Sequence, residues 1–187
     1  MKKVLFLAFV IVFSANMAFA QAGAINIFAD PLGMSCDHFP LIGTLYFAYA
    51  VHVLTPGATA SQWSAPLPPC ALPGMLWLSD GAIFPVTIGN SQTGVAIGYG
   101  GCFASPVHVL TLQIFVQIPT PPCCVWPVLP DPAVPSGQIE VVDCAGVVIS
   151  SPSQPSSVIN PDPTCTCNPP IAVEESTWGG IKSLYVD

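Results

Sequence analysis

Thr44-Leu45-Tyr46-Phe47-Ala48-Tyr49-Ala50-Val51-His52-Val53-Leu54 is the stretch that decides the fold. In an extended chain successive side chains point to opposite faces, so Leu45, Phe47, Tyr49, Val51 and Val53 share one face while Thr44, Tyr46, Ala48, Ala50 and His52 share the other. Aromatic and β-branched residues dominate, the 3.6-residue spacing of a helix is missing, and Pro56-Gly57 stops the run. It reads as a strand. Residues 107–118 read the same way, with His108, Leu110, Leu112, Ile114, Val116 and Ile118 on one face and Thr111, Gln113 and Gln117 marking the other. Pro119, Pro121 and Pro122 end that run.

Shorter strand candidates surround these two, at 24–28, 58–64, 75–78, 82–88, 94–99, 125–129 and 138–142, each bounded by Gly, Pro, Asn or Asp. Seven to nine short strands with turns between them predict an all-β chain of two packed antiparallel sheets. Val51-His52-Val53-Leu54-Thr55 recurs as Val107-His108-Val109-Leu110-Thr111, but the flanks disagree, so this is similar residue usage in two strands and not a repeat architecture.

The first 20 residues read as a cleavable signal peptide. Lys2 and Lys3 give the positive start, Val4 to Phe13 is apolar, and Ala18-Phe19-Ala20 is a small-x-small cleavage pattern, placing the cut before Gln21. The apolar run is shorter than the roughly 18 to 20 residues that span a bilayer, and no cysteine follows the cut to carry a lipid. The expectation is a secreted, periplasmic or cell-surface protein with no membrane attachment after cleavage. The exported part keeps one basic residue, Lys182, against ten carboxylates, a formal charge of −9. Without a basic patch it cannot neutralise phosphates, which argues against nucleic-acid binding.

Cys36, Cys70, Cys102, Cys123, Cys124, Cys144, Cys165 and Cys167 all lie in the exported part. An even number in an oxidising compartment reads as disulfides. A strand of about a dozen residues separates Cys102 from Cys123 and Cys124 by roughly 40 Å, against the roughly 7 Å limit on Cα separation in a bridge. Those pairings are disfavoured, and Cys144 with Cys165 or Cys167 is preferred among the rest. A zinc site at Cys123-Cys124 or Cys165-x-Cys167 has the wrong spacing.

From 150 to 170 the chain turns to Ser, Pro, Asn and Thr and reads as a cysteine-bearing linker, so the sandwich domain is drawn over 21–149. The last segment, 171–187, is distinct. Trp178, Ile181, Leu184 and Tyr185 would share one side of a short helix capped at Ser176 or Thr177, although Gly179 and Gly180 weaken it.

Two resemblances add to this. Ala58-Thr59-Ala60-Ser61-Gln62-Trp63, Gly94-Val95-Ala96-Ile97-Gly98-Tyr99 and Leu110-Thr111-Leu112-Gln113-Ile114-Phe115 together resemble the strand pattern of cohesin-like and other immunoglobulin-like bacterial sandwiches. The likeness implies an immunoglobulin-like (cohesin-like) antiparallel β-sandwich; cohesins recognise dockerins, and no binding residue transfers from the pattern. The end, Trp178-Gly179-Gly180-Ile181-Lys182-Ser183-Leu184-Tyr185, is similar to the Trp-Gly-x-Ile-Lys-x-Leu-Tyr tails of uncharacterised secreted bacterial proteins. It closes on Val186-Asp187 where such tails commonly finish on a basic residue. That resemblance implies a docking or sorting role for Trp178, Ile181, Lys182, Leu184 and Tyr185.

Catalytic constellations are scarce. His38, His52 and His108 are the imidazoles, two of them within strands, and no Gly-x-Ser-x-Gly elbow accompanies them. Glu140 and Asp143, three apart on an extended segment, would point to opposite faces, unlike a glycosidase pair. Asp30 and Asp37 could offer oxygens to calcium but lack EF-hand spacing. Trp63, Trp77 and Trp126 could form a sugar-binding platform, with burial in the core the preferred reading. The sequence therefore predicts a non-catalytic structural or protein-interaction module without a cofactor, whose protein partner engages the tail. A carbohydrate- or calcium-binding sandwich is the alternative.

Overall fold

The computed structural model describes residues 23–151 and 157–167. Residues 1–20, expected to be a leader, and the tail residues Trp178, Ile181, Lys182, Leu184 and Tyr185 lie outside them. The strands are β1 (Ala24–Phe28), β2 (Asp37–His38), β3 (Leu45–Val53), β4 (Ala58–Trp63), β5 (Met75–Ala82), β6 (Val86–Asn90), β7 (Gly94–Phe103), β8 (Val107–Val116), β9 (Cys124–Trp126), β10 (Ile139–Asp143), β11 (Val148–Ser151) and β12 (Ser157–Ile159), with one 3₁₀ turn at Pro69–Ala71. A four-stranded sheet, β1-β3-β8-β5, and a five-stranded sheet, β11-β10-β4-β7-β6, are antiparallel throughout. The chain is an all-β sandwich, as the alternation of the two long strands predicts.

One core joins the two sheets. From the first come Ile25, Ile27, Ala48, Ala50, Leu110, Leu112 and Ile114; from the second come Trp63, Val95, Ile97, Tyr99, Ile139 and Val141. Small residues on β3 face into a core whose largest members are Trp63 and Trp126, both fully buried, which is how a close-packed interior matches volumes. The bulkier face of β3 points outward as a result: Leu45 and Phe47 are exposed. Two bulges adjust the sheet. Ala50 opposes Leu110 while Val51 opposes His108, so Val109 is the extra residue, and this turns His108 away from the face that Leu110 begins. Leu78 is the extra residue between Trp77 and Ser79 on β5.

A small sheet, β2-β12-β9, contains the one parallel pair, β2 with β12, and adds Cys124, Trp126 and Ile159 to the core. Residues 157–167, which read from composition as linker, thus carry a strand and two bridged cysteines, and β11 also crosses the boundary drawn at 149. Composition hides this because a strand of three residues draws its place from backbone pairing and disulfides; its apolar content is just Val158 and Ile159, both buried.

The bridges are Cys36–Cys167, Cys70–Cys124, Cys102–Cys144 and Cys123–Cys165. Cys102 indeed avoids Cys123 and Cys124, but the preference for Cys144 with Cys165 or Cys167 is corrected. The register explains it. Ala58 at the start of β4 opposes both Phe103 of β7 and Asp143 of β10, so Cys102 and Cys144 arrive on either side of the same strand end. Gly57 sits between them; a Cβ there would meet the Cys144 and Cys102 sulfurs at 2.5 and 2.9 Å. Cys165 instead follows β12, whose Ile159 lies opposite Cys124, next to Cys123.

Candidate functional site

The outer face of the five-stranded sheet carries a groove whose shape follows from its cross-strand rows. Val86, Gly98, Ala60, Val142 and Val148 stand side by side across β6, β7, β4, β10 and β11, and the next row is Ile88, Ala96, Gln62, Glu140 and Ser150. Residues directly opposite one another point to the same side of a sheet. Small side chains on the two central strands therefore make a floor, Val86 and Ile88 form one wall, and Val142 and Val148 form the other. The concavity holds about 160 Å³, and Glu140 is the one carboxylate among its lining residues.

The walls are exposed: Ile88 is 69% and Val148 58% accessible. β6 is one of the two edge strands of the sheet, with no Pro or Lys to blunt it. At the floor's end, Gln62 Nε2 donates to Asp131 Oδ2 at 2.8 Å, fixing the amide. Sequence reasoning missed this site. The signal was present in Gly94, Ala96 and Gly98, three small residues at strand spacing, and in Ala60 opposite them.

A second concavity, of about 520 Å³, lies among Pro66, Pro68, Pro69, Val125, Pro127 and Leu129 beside the Cys70–Cys124 bridge. Its walls are proline rings and aliphatic chains, with no ionisable side chain among them.

The residues singled out from sequence do not converge. His52 is buried with Nδ1 3.2 Å from the Tyr99 hydroxyl, whereas His108 lies on the opposite face, its Nε2 3.0 Å from Thr111 Oγ1. The two Val-His-Val-Leu-Thr stretches are thus neighbours on β3 and β8 but place their histidines on different sides. His38 is fully buried, with Nδ1 2.8 Å from the Tyr46 hydroxyl and its ring 5.6 Å from that of Trp126. Burial lowers its pKa to about 4, with the Ile27 backbone and the Asp37 carboxylate opposing the shift. A proton held that weakly suits a structural histidine.

Trp63 and Trp126 are core residues, and Trp77, half-buried, donates Nε1–H to Asp80 Oδ1 at 2.9 Å. These three build no platform. Asp30 accepts backbone N–H bonds from Leu32, Met34 and Ser35, and Asp37 of β2 accepts one from Cys167, so both carboxylates organise their own chain. Glu140 accepts from Ser136 Oγ, while Asp143, beyond a register shift, accepts from the Ala145 and Val147 amides in a turn. Cys123, Asp162 and Cys165 lie within metal-binding distance of one another, yet both sulfurs belong to one disulfide and offer no thiolate.

Among the described residues no helix is long and apolar enough to cross a membrane. The sequence matches no protein-family model and no curated protein. Among solved structures, a cohesin module from the Clostridium perfringens ATCC13124 family 33 glycoside hydrolase is similar, with a TM-score of 0.47 and 6% identity over 75% of this chain and 99% of that one. At that level no binding residue and no partner transfers.

Proposed function

We propose that this chain is an exported, non-catalytic protein-interaction module, whose body holds an apolar segment of a partner protein in the groove across β6, β7, β4, β10 and β11. The observation that carries the reading is the row Val86-Gly98-Ala60-Val142-Val148, large at the sides and small in the middle, on a rigid sheet. Concave apolar surface set on regular elements binds partners with little ordering cost. Four bridges that use every described cysteine support assembly in an oxidising compartment. The segment 171–187, with Trp178, Ile181, Lys182, Leu184 and Tyr185, serves as a docking or sorting element.

Gly98→Leu tests the groove. A Cβ at Gly98 meets Val86 at 3.4 Å, an ordinary contact, so the larger side chain fills the floor without straining the sheet. The expected result is at least a tenfold loss of partner protein recovered from the native extracytoplasmic fraction, with the melting temperature within a few degrees of the parent's. Undiminished recovery removes the groove from the account. Deleting 173–187 with unchanged localisation and unchanged partners removes the tail.

A further inference from the structure

The groove across the five-stranded sheet changes character from one row to the next. In the row Val86-Gly98-Ala60-Val142-Val148 the walls are valines and the floor is barest, at Gly98 and Ala60. Two residues along each strand, about 7 Å further on, the row is Ile88-Ala96-Gln62-Glu140-Ser150. On β10 a carboxylate stands there in the place that Val142 holds in the first row.

That second row carries acceptors and a negative charge. Glu140 lies directly opposite Gln62, and both line the groove. Gln62 Nε2 is turned to Asp131 Oδ2 at 2.8 Å, so its carbonyl Oε1 is the acceptor left beside Glu140. Glu140 Oε1 accepts the Ser136 hydroxyl at 2.8 Å, and among the described residues no group donates to Oε2. Asp131, itself buried against Gln62, adds a second carboxylate. No Lys or Arg lies between Lys3 and Lys182, so among the described residues neither side chain neutralises this end of the groove. An aliphatic side chain laid over it would strip water from these acceptors and leave them unpaired, whereas a cationic one satisfies them.

The volume of about 160 Å³ is below the roughly 300 to 1,000 Å³ of pockets that enclose a whole small molecule, and it suits side chains projecting from a longer chain. An extended peptide places residues i and i+2 on one side about 7 Å apart, the same step as the two rows. We propose that the occupant is an extended peptide segment of the partner protein, with an aliphatic residue over Gly98 and Ala60 and a Lys or Arg two residues away whose head pairs with Glu140 and Gln62 Oε1. This rests on the groove being a partner site and adds the partner's chemistry. The described body of a second copy brings no Lys or Arg and is the wrong occupant.

The full chain, with its disulfides formed, is immobilised and used to select from a phage-displayed library of random short peptides, and peptides of the enriched sequence are synthesised and titrated by fluorescence anisotropy. The expected consensus has Lys or Arg two residues from Leu, Ile or Val. Glu140→Gln keeps an oxygen for Ser136 and removes the charge; it should weaken binding at least about tenfold, as should Gln in place of the peptide's basic residue. The two changes together should cost about as much as either alone, because both break one interaction. A consensus without a basic residue, a smaller loss with Glu140→Gln, or losses that add overturn this inference, and if Gly98→Leu still abolishes binding the groove remains a partner site. Binding indifferent to both Glu140→Gln and Gly98→Leu, or no enrichment at all, overturns the inference and removes the groove with it.

Discussion

His38 shows at one residue what burial does to an ionisable group in this core. With its pKa lowered to about 4 from 6.5, the folded chain holds the imidazole neutral while the unfolded chain protonates it near pH 6.5. The unfolded state then binds more protons between those values. Its contribution is complete above pH 6.5 and is lost as pH falls towards 4, about 3 kcal/mol in all. Desolvation lowers the His108 pKa as well, so its contribution has the same sign. Urea unfolding at pH 7 and pH 4.5 should show the lower midpoint in acid, and His38→Gln should remove most of the difference. A pH-independent midpoint would contradict the assignment. That His52 is structural was legible, since a histidine inside an apolar strand needs a partner and Tyr99 supplies one. Which of two similar Val-His-Val stretches faces inward was not, because a single inserted residue, Val109, decides it and no residue type announces a bulge.

At the scale of elements, alternation located β3 and β8 but did not say which face of β3 is inside. Apolar bulk favours the Leu45 and Phe47 side; packing chose the Ala48 and Ala50 side, because Trp63 and Trp126 fill the space opposite. The groove was hidden for a related reason. Its floor is made of what is missing from Ala60, Ala96 and Gly98, and only the register of four strands reveals that these absences line up. β12 shows the same limit. Its three residues pair with β2 and β9 and are followed closely by Cys165, bridged to Cys123. Replacing Cys123 and Cys165 together by alanine should loosen this element first. Hydrogen exchange at the Val158 and Ile159 amides should quicken by about tenfold or more while β3 and β8 amides keep their protection. Uniform quickening across all three would show that the bridge supports the whole core instead.

For the whole molecule, the two sheets present different outer faces. The five-stranded sheet is hollow along its centre; the four-stranded sheet is partly roofed by its own loop and by the segment ending at Cys167. Cysteine bridging and an all-β body could be read from the sequence because eight cysteines and strand alternation are local signals. The bridge partners and the two faces could not, because they depend on which distant strands become neighbours: Cys36 and Cys167 are 131 residues apart. The role proposed for the hollow face is to hold a partner protein. It is tested most directly by placing a photo-crosslinking amino acid at position 88 on the groove wall, and separately at position 145 in the exposed 143–147 turn, then irradiating the native extracytoplasmic fraction. A discrete higher-mass adduct is expected from position 88, lost when Gly98→Leu is added, and none from position 145. Equal adducts from both positions, or none from position 88, would contradict it.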